Sequence, residues 1–327
     1  MPPETLRVLL TDILDYAGLF PPAQLELDPA IRNYARYRTE AEAWMLGRFI
    51  CPAPRLCELV PFGDTLLAEP PAFRFSVLCR GGESPTALLA RLEDDGADVA
   101  AFDAALGARA AVAAFEIKLP PALLDADELR LAEFLRAARD RFDSVGLAGR
   151  PVFWEPPLPP RADWTRPANL LAHALAAYNA DRPAGPGRFG FKLRTGGVEA
   201  SAFPTCEQVA RVIEACAHAG TPMKFTAGLH HPIRRYDPGV RAHMHGFINV
   251  FAAAILGREL RLELFDLVAI LDELDPANFT LGDEFFGWNQ AEVTLGELEH
   301  GRQHVALSFG SCSFDEPRED LRALRWL

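Results

Sequence analysis

The chain has 327 residues, a formal net charge of −12 and 49% hydrophobic residues, values typical of a globular protein with a buried core. An acidic surface repels nucleic-acid phosphates and anionic lipids, so we expect neither nucleic acid nor membrane as a partner. The chain begins without a leader pattern and no apolar run reaches ~18 residues, so we expect a cytoplasmic protein. The six cysteines include no C-x-x-C pair and are expected to be buried, reduced thiols.

The first 46 residues contain a helical pattern at residues 31–44 and no recognisable strand. We therefore expect residues 1–46 to form an N-terminal helical extension. Within it, residues 15–22 are apolar, aromatic and irregular. We expect this segment either to cover the mouth of the fold or to plug its bottom.

Further along, short apolar or aromatic runs alternate with amphipathic stretches that have helical spacing. The predicted strands cover residues 48–52, 73–79, 112–119, 151–155, 189–193, 222–226, 278–283 and 304–310. The predicted helices cover residues 86–94, 127–142, 169–179 and 205–218. Residues 246–256 are compatible with a strand, but their three consecutive alanines favour a helix. We therefore predict a helical insertion at residues 240–276, before strand seven.

Eight strands alternating with helices predict a (β/α)8 TIM barrel, with residues 1–327 as one domain. The C-terminal strand ends form the active-site face of such barrels. Here those ends are polar. They carry Glu116, Lys118, Glu155, Lys192, Arg194, Lys224, Thr226, Asp283, Glu284 and Ser311. A charge facing the helix layer would be costly to desolvate, so we expect these side chains to point into the barrel mouth.

Lys192 and Lys224 are predicted on neighbouring strands. Burial and a nearby positive charge would lower the pKa of a lysine there. The neutral amine could then attack a carbonyl group and form a Schiff base. Glu116 or Glu155 would transfer protons as the imine forms.

Two lysine motifs resemble those of deoxyribose-phosphate aldolase: KLRTG at residues 192–196 and, one helix later, KFTAG at residues 224–228. The segment FGS at residues 309–311 is similar to the terminal Phe-Gly-x-Ser of that family. The resemblance implies a class I aldolase barrel in which Lys192 is the nucleophile and Lys224 lowers its pKa. Strands three and four carry glutamates where the family has a catalytic aspartate.

Further residues are expected to bind the substrate. They are Arg194, Thr195, Gly196, Gly197, Thr226, His230, His231, Arg234 and Ser311. Arginine forks suit carboxylates or phosphates, and adjacent glycines let backbone N–H groups approach an anion. We therefore expect a carbon–carbon lyase that acts on a small anionic carbonyl substrate and needs no cofactor.

Two other functions remain open. The histidines at 230, 231, 243 and 245, with Glu116, Glu155 or Asp283, could hold a divalent metal in a hydrolase or isomerase. The barrel could also bind a small ligand without catalysis. The oligomeric state is open, with a homo-oligomer as one option.

Overall fold

The structure is a computed structural model that describes residues 2–159, 162–180 and 187–327. Eight of its strands are parallel neighbours in a closed barrel. In chain order they are β1 (Leu14–Tyr16), β2 (Leu46–Pro52), β3 (Phe73–Leu78), β4 (Ala110–Lys118), β5 (Val152–Glu155), β6 (Phe189–Arg194), β7 (Met223–Thr226) and β8 (Ala306–Ser311). β1 pairs with both β8 and β2, which closes the ring. The predicted (β/α)8 barrel is therefore confirmed.

Helices surround the barrel. They are α1 (Glu4–Leu10), α2 (Leu27–Tyr37), α3 (Pro85–Leu106), α4 (Glu128–Ser144), α5 (Thr165–Ala180), α6 (Cys206–Ala219), α7 (Phe247–Glu259), α8 (Leu264–Asp272), α9 (Leu295–His304) and α10 (Asp315–Ala323). Short 3-10 turns cover Ala43–Met45, Ala53–Phe62, Gly107–Arg109, Pro121–Leu123, Ala200–Ala202 and Pro276–Asn278. Within the described ranges, no helix is both long and apolar enough to cross a membrane.

The barrel membership of two segments was predicted wrongly. The predicted seventh strand forms Phe279–Leu281, which pairs antiparallel with Phe285–Trp288 in a separate three-stranded sheet completed by Ala291–Thr294. Its place in the barrel is taken by β1, which lies in the region predicted to be a purely helical extension. Three residues are too few to show a strand period, so β1 has no sequence pattern of its own.

The helical insertion is present as α7 and α8, so residues 246–256 are mainly helix and not strand. It lies between β7 and the last barrel strand, together with a small hairpin of Arg235–Asp237 and Ala242–Met244. Every residue of α7 from Phe247 to Gly257 is buried. A helix buried on all sides has no amphipathic stripe, which explains why its sequence pattern was ambiguous.

Alternation along β6 directs its charged residues into the barrel. Phe189 is fully buried and stacks on Tyr178 of α5, with ring centroids 4.0 Å apart. Burying such an aromatic side chain contributes roughly 2–3 kcal/mol. Because alternate residues of a strand face opposite sides, Lys192 and Arg194 point away from this helix layer and toward the barrel interior.

The cysteines fit the sequence expectation in part. All six are free, and four of them are buried. Cys312 is half-buried and Cys57 is exposed, so the expectation of burial is wrong for these two.

Candidate active site

Five charged side chains are buried together within the barrel. They are Asp15 of β1, Glu116 of β4, Glu155 of β5, Lys192 of β6 and Lys224 of β7. Each residue is at most 5% exposed. Single buried charges are strongly unfavourable, so the group is tolerable only because its charges pair. The four residues predicted to be catalytic are thus brought together, and Asp15 joins them.

Lys224 contacts two carboxylates. Its Nζ is 2.6 Å from Asp15 Oδ2 and 2.6 Å from Glu116 Oε1. Ser76 Oγ donates to the same Glu116 oxygen at 2.5 Å, and Ser308 Oγ donates to Asp15 Oδ2 at 2.8 Å. These bonds fix both carboxylates around a lysine that is completely buried.

Lys192 is held in a second pair of carboxylates. Its Nζ is 2.9 Å from Glu116 Oε2 and 2.5 Å from Glu155 Oε2. Lys192 and Lys224 are register partners on β6 and β7, so Glu116 bridges two adjacent cations with one oxygen each. Arg194 Nε donates to the other Glu155 oxygen at 3.0 Å. Positive and negative groups therefore alternate across the barrel mouth.

This alternation determines the direction of each pKa shift. Burial alone would raise the pKa of Asp15, Glu116 and Glu155, but the neighbouring cations bring each carboxyl pKa below its usual value. Burial alone would lower the pKa of Lys192, but Glu116 and Glu155 raise it above its usual value. The expected lowering of the Lys192 pKa is therefore wrong for the resting protein. The physical reason is that Glu116 lies between the two lysines.

A cavity of about 430 Å³ lies at this end of the barrel and is bordered by Lys192, Glu116 and Glu155. Lys224 is completely buried and does not border it. Ala17 and residues 20–22, which follow β1, form part of the wall. The segment of residues 15–22 was expected either at the mouth of the barrel or at its bottom. It lies at the mouth.

Six of the nine residues predicted to bind substrate line this cavity. They are Arg194, Gly196, Gly197, Thr226, His230 and Ser311. His230 Nδ1 lies 2.8 Å from Glu316 Oε2 of α10, which leaves Nε2 as the ring nitrogen available to a ligand.

The other three predicted binding residues have structural partners elsewhere. Thr195 is buried, and its hydroxyl donates to the Ala227 carbonyl at 2.6 Å, which ties the loops after β6 and β7 together. His231 Nδ1 lies 2.6 Å from Asp320 Oδ2, and Arg234 Nε lies 3.1 Å from Asp272 Oδ1. These three residues do not border the cavity.

Asp15 is the main residue that sequence reasoning missed. Its Oδ1 accepts the backbone N–H of Arg48 at 2.6 Å, and a Cβ on Gly47 would collide with the same carboxylate. The available signal was an acidic residue between Leu14 and Tyr16, inside an apolar segment. Without a predicted strand there, its direction could not be inferred.

The histidines do not gather around the carboxylates. His243 is exposed on the hairpin, and His245 is buried with Nε2 2.9 Å from the Pro204 carbonyl. Burial lowers the pKa of His245 to about 4. Asp283 lies outside the mouth and accepts the backbone N–H of Glu4. In the part of the chain that the structure describes, no group of three His, Cys, Asp or Glu side chains could hold a metal ion.

The comparisons with known proteins find similarity to solved structures. No family model and no curated protein matches the chain. Among solved structures, the chain is similar to a Toxoplasma gondii ME49 protein provisionally named a deoxyribose-phosphate aldolase. The two are 11% identical, the match covers 69% of this chain and 79% of that one, and the TM-score is 0.41. The barrel described above rests on its own strand pairing, and the local resemblance to deoxyribose-phosphate aldolase remains a resemblance.

Proposed function

We propose that the protein is a carbon–carbon lyase of the class I aldolase type, acting on a small anionic carbonyl substrate through a Schiff base on Lys192. The observation that carries this proposal is the unequal position of the two buried lysines. Lys192 borders the cavity, whereas Lys224 is sealed beneath it. Of the two buried lysines, a carbonyl compound in the cavity therefore meets only Lys192, with Glu155 and Glu116 on either side of it.

The raised pKa of Lys192 is compatible with imine formation because the charge is conserved. An ammonium ion and a carbonyl group become an iminium ion and water. The positive charge stays between Glu116 Oε2 and Glu155 Oε2, which accompany the ammonium nitrogen at 2.9 Å and 2.5 Å. The carboxylates that hold the resting cation would thus also stabilise the iminium ion.

Proton transfer is assigned to Glu155. Its Oε2 takes a proton from the Lys192 ammonium, and the neutral amine attacks the carbonyl carbon. The carbonyl oxygen gains the proton that the attacking nitrogen loses, which gives a carbinolamine. Glu155 then protonates the hydroxyl group, the carbon–oxygen bond breaks and water leaves. The iminium ion can accept the electron pair of the carbon–carbon bond that breaks next.

The negative group of the substrate is assigned to the remaining polar wall. Arg194, Thr226, Ser311, Gly196 and Gly197 border the cavity and supply guanidinium, hydroxyl and backbone N–H groups to its lining. Such groups bind an oxyanion through charge-assisted and backbone hydrogen bonds.

The test is reductive trapping with borohydride in the presence of glyoxylate, pyruvate or glycolaldehyde phosphate. We expect a stoichiometric adduct that peptide mapping locates on Lys192 and that disappears in Lys192→Met. Lys118 in the same sample is the internal control, because it borders the cavity, has no carboxylate partner among residues 2–159, 162–180 and 187–327, and should stay unmodified. A carbonyl compound that binds and is turned over without any adduct on Lys192 would refute the Schiff base.

The raised Lys192 pKa also favours a second candidate function, proton-transfer chemistry without a covalent bond. A permanently charged Lys192 would donate a hydrogen bond to the substrate oxygen while Glu155 removes a neighbouring proton. Turnover with no trapped adduct supports this candidate, and binding with no turnover supports a ligand-binding barrel.

A further inference from the structure

A second cavity of about 730 Å³ adjoins the first, beside the ends of β3, β4 and β5. The two cavities share Lys118, Glu155, Arg194 and Ala202 as their common wall. The far wall is mainly apolar, with Trp164, Leu158 and five prolines. A ligand longer than the first cavity could therefore continue into an apolar space across a charged boundary.

The cations at this boundary have unused donors. Lys118 is exposed at the end of β4 and makes no ion pair or hydrogen bond within residues 2–159, 162–180 and 187–327. The Arg194 side chain is 49% exposed, and within the described residues it donates a side-chain hydrogen bond through Nε alone, to Glu155. Among the described residues that line the second cavity, Lys118, Arg194 and Arg91 are three cations against the two carboxylates of Glu83 and Glu155. One surplus positive charge suits a monoanion, in a protein whose net charge is −12.

The amino-acid composition also distinguishes Lys118 from the other basic residues outside the buried cluster. Of the 33 basic residues in the sequence, only Lys118, Lys192 and Lys224 are lysines. All three lie on barrel strands at the candidate site, and arginine supplies the basic charge everywhere else. A compact ammonium group differs from a guanidinium fork in size and hydration, so lysine at position 118 is not a generic surface charge.

The strand order sets the length of a ligand that reaches both amines. Lys118 pairs in register with Glu155 on β5, and Lys192 lies on the next strand, β6. Adjacent strands are roughly 4.8 Å apart, so the two backbone positions are about 10 Å apart. A molecule with its carbonyl group at Lys192 needs about one ring and a short chain to bring a second group to Lys118.

We propose that the second cavity binds the distal part of an extended substrate, an apolar or aromatic body whose carboxylate is held by Lys118. This inference rests on the proposed function, because Lys192 supplies the amine that meets the carbonyl end. It adds a substrate class, the aldehyde or ketone with a remote carboxylate.

The test compares benzaldehyde, 4-formylbenzoate and 4-formylcinnamate, which share an aromatic aldehyde but differ in the reach of the carboxylate. Calorimetry on Lys192→Met measures binding without imine formation. We expect 4-formylcinnamate to bind at least about tenfold more tightly than benzaldehyde, the gain typical of one charge-assisted hydrogen bond. Lys118→Gln should remove that gain and change benzaldehyde binding by less than about twofold.

The matched control is Arg136→Gln, which removes one positive charge from an exposed position of α4 outside both cavities. It should change neither affinity. If Lys192→Met does not fold, the concentration that half-saturates borohydride trapping in the wild-type protein replaces the calorimetric Kd.

The two proposals fail in different ways. If an adduct forms on Lys192 but Lys118→Gln does not change the preference for carboxylate ligands, the role of the second cavity alone is overturned. If the preference for carboxylate ligands depends on Lys118, and turnover occurs without an adduct on Lys192, the Schiff base alone is overturned.

Discussion

Glu116 couples the two buried lysines through a single carboxylate group. Its Oε1 lies 2.6 Å from Lys224 Nζ and its Oε2 lies 2.9 Å from Lys192 Nζ. A proton that leaves Lys192 changes the field at Glu116 and therefore at Lys224.

The Asp15–Lys224 pair supplies a prediction at this scale. Both side chains are completely buried, so Asp15→Asn would keep the shape but leave Lys224 with one carboxylate partner. Breaking a buried pair typically costs about 3–5 kcal/mol. We expect a loss of that size in the free energy of unfolding, measured with urea at pH 7.

Asp12→Asn is the matched control, because Asp12 pairs with Arg74 and both side chains are nearly half exposed. Exposed pairs contribute less than about 1 kcal/mol. Similar losses in the two variants would show that burial does not make the Asp15 pair special.

At the scale of elements, the loops after β6 and β7 meet backbone to backbone beside the cavity. Gly228 has a φ of +76°, and a Cβ on it would lie 2.8 Å from Gly196 Cα. Close packing of these loops requires glycine at both positions. It also sets where the polar backbone of residues 196 and 197 borders the cavity.

Gly228→Ala should therefore both destabilise the protein and weaken the site. Backbone strain of this kind costs about 1–3 kcal/mol, and the displaced loop should reduce the extent of borohydride trapping on Lys192. Urea unfolding and trapping would be measured on the same preparation. Gly296→Ala in α9 is the control, since a Cβ there has no neighbour within 4 Å. An equally small effect of both substitutions would contradict the packing argument.

Elements with a full period were predictable from sequence, and very short ones were not. The helix at α6 begins with the capping box of Thr205 and Gln208 and ends at Gly220 in the left-handed region, so its limits are encoded locally. Residues 279–281 do form a strand, but a local pattern cannot say which sheet a strand joins. β1 escaped detection for its length, and Asp15 was missed with it.

The whole molecule combines an acidic exterior with a mouth whose charges balance. The sequence has a net charge of −12, yet the described lining of the first cavity sets the cations Lys118, Lys192 and Arg194 against the carboxylates Glu116, Glu155 and Glu199. A concave site with local cations can bind an anion even when the rest of the surface repels it. This contrast was visible in the sequence as charged strand ends. Their pairing with carboxylates was not, because it depends on which strands become neighbours.

The buried network should shape the pH dependence of stability. The carboxyl pKa values of Asp15, Glu116 and Glu155 lie below their ordinary values of 3.8 and 4.5. Their stabilisation is therefore present above those ordinary values and is lost as the pH falls through the lower, folded values. The Lys192 pKa lies above its ordinary value of 10.5. Its stabilisation is present below pH 10.5 and is lost as the pH rises through the folded value.

We expect the free energy of unfolding, measured with urea at constant ionic strength, to decline below about pH 4.5 and above about pH 10.5. Buried thiols such as Cys51, whose pKa burial raises to about 12, also destabilise the folded state at alkaline pH. The difference between the wild-type protein and Lys192→Met therefore isolates the lysine. In the variant the alkaline decline should be shallower. The acid decline should be smaller, because Glu116 and Glu155 each lose a cationic partner and their folded pKa values move back toward the ordinary value. Superimposable pH profiles would mean that Lys192 is not held as a cation by these carboxylates.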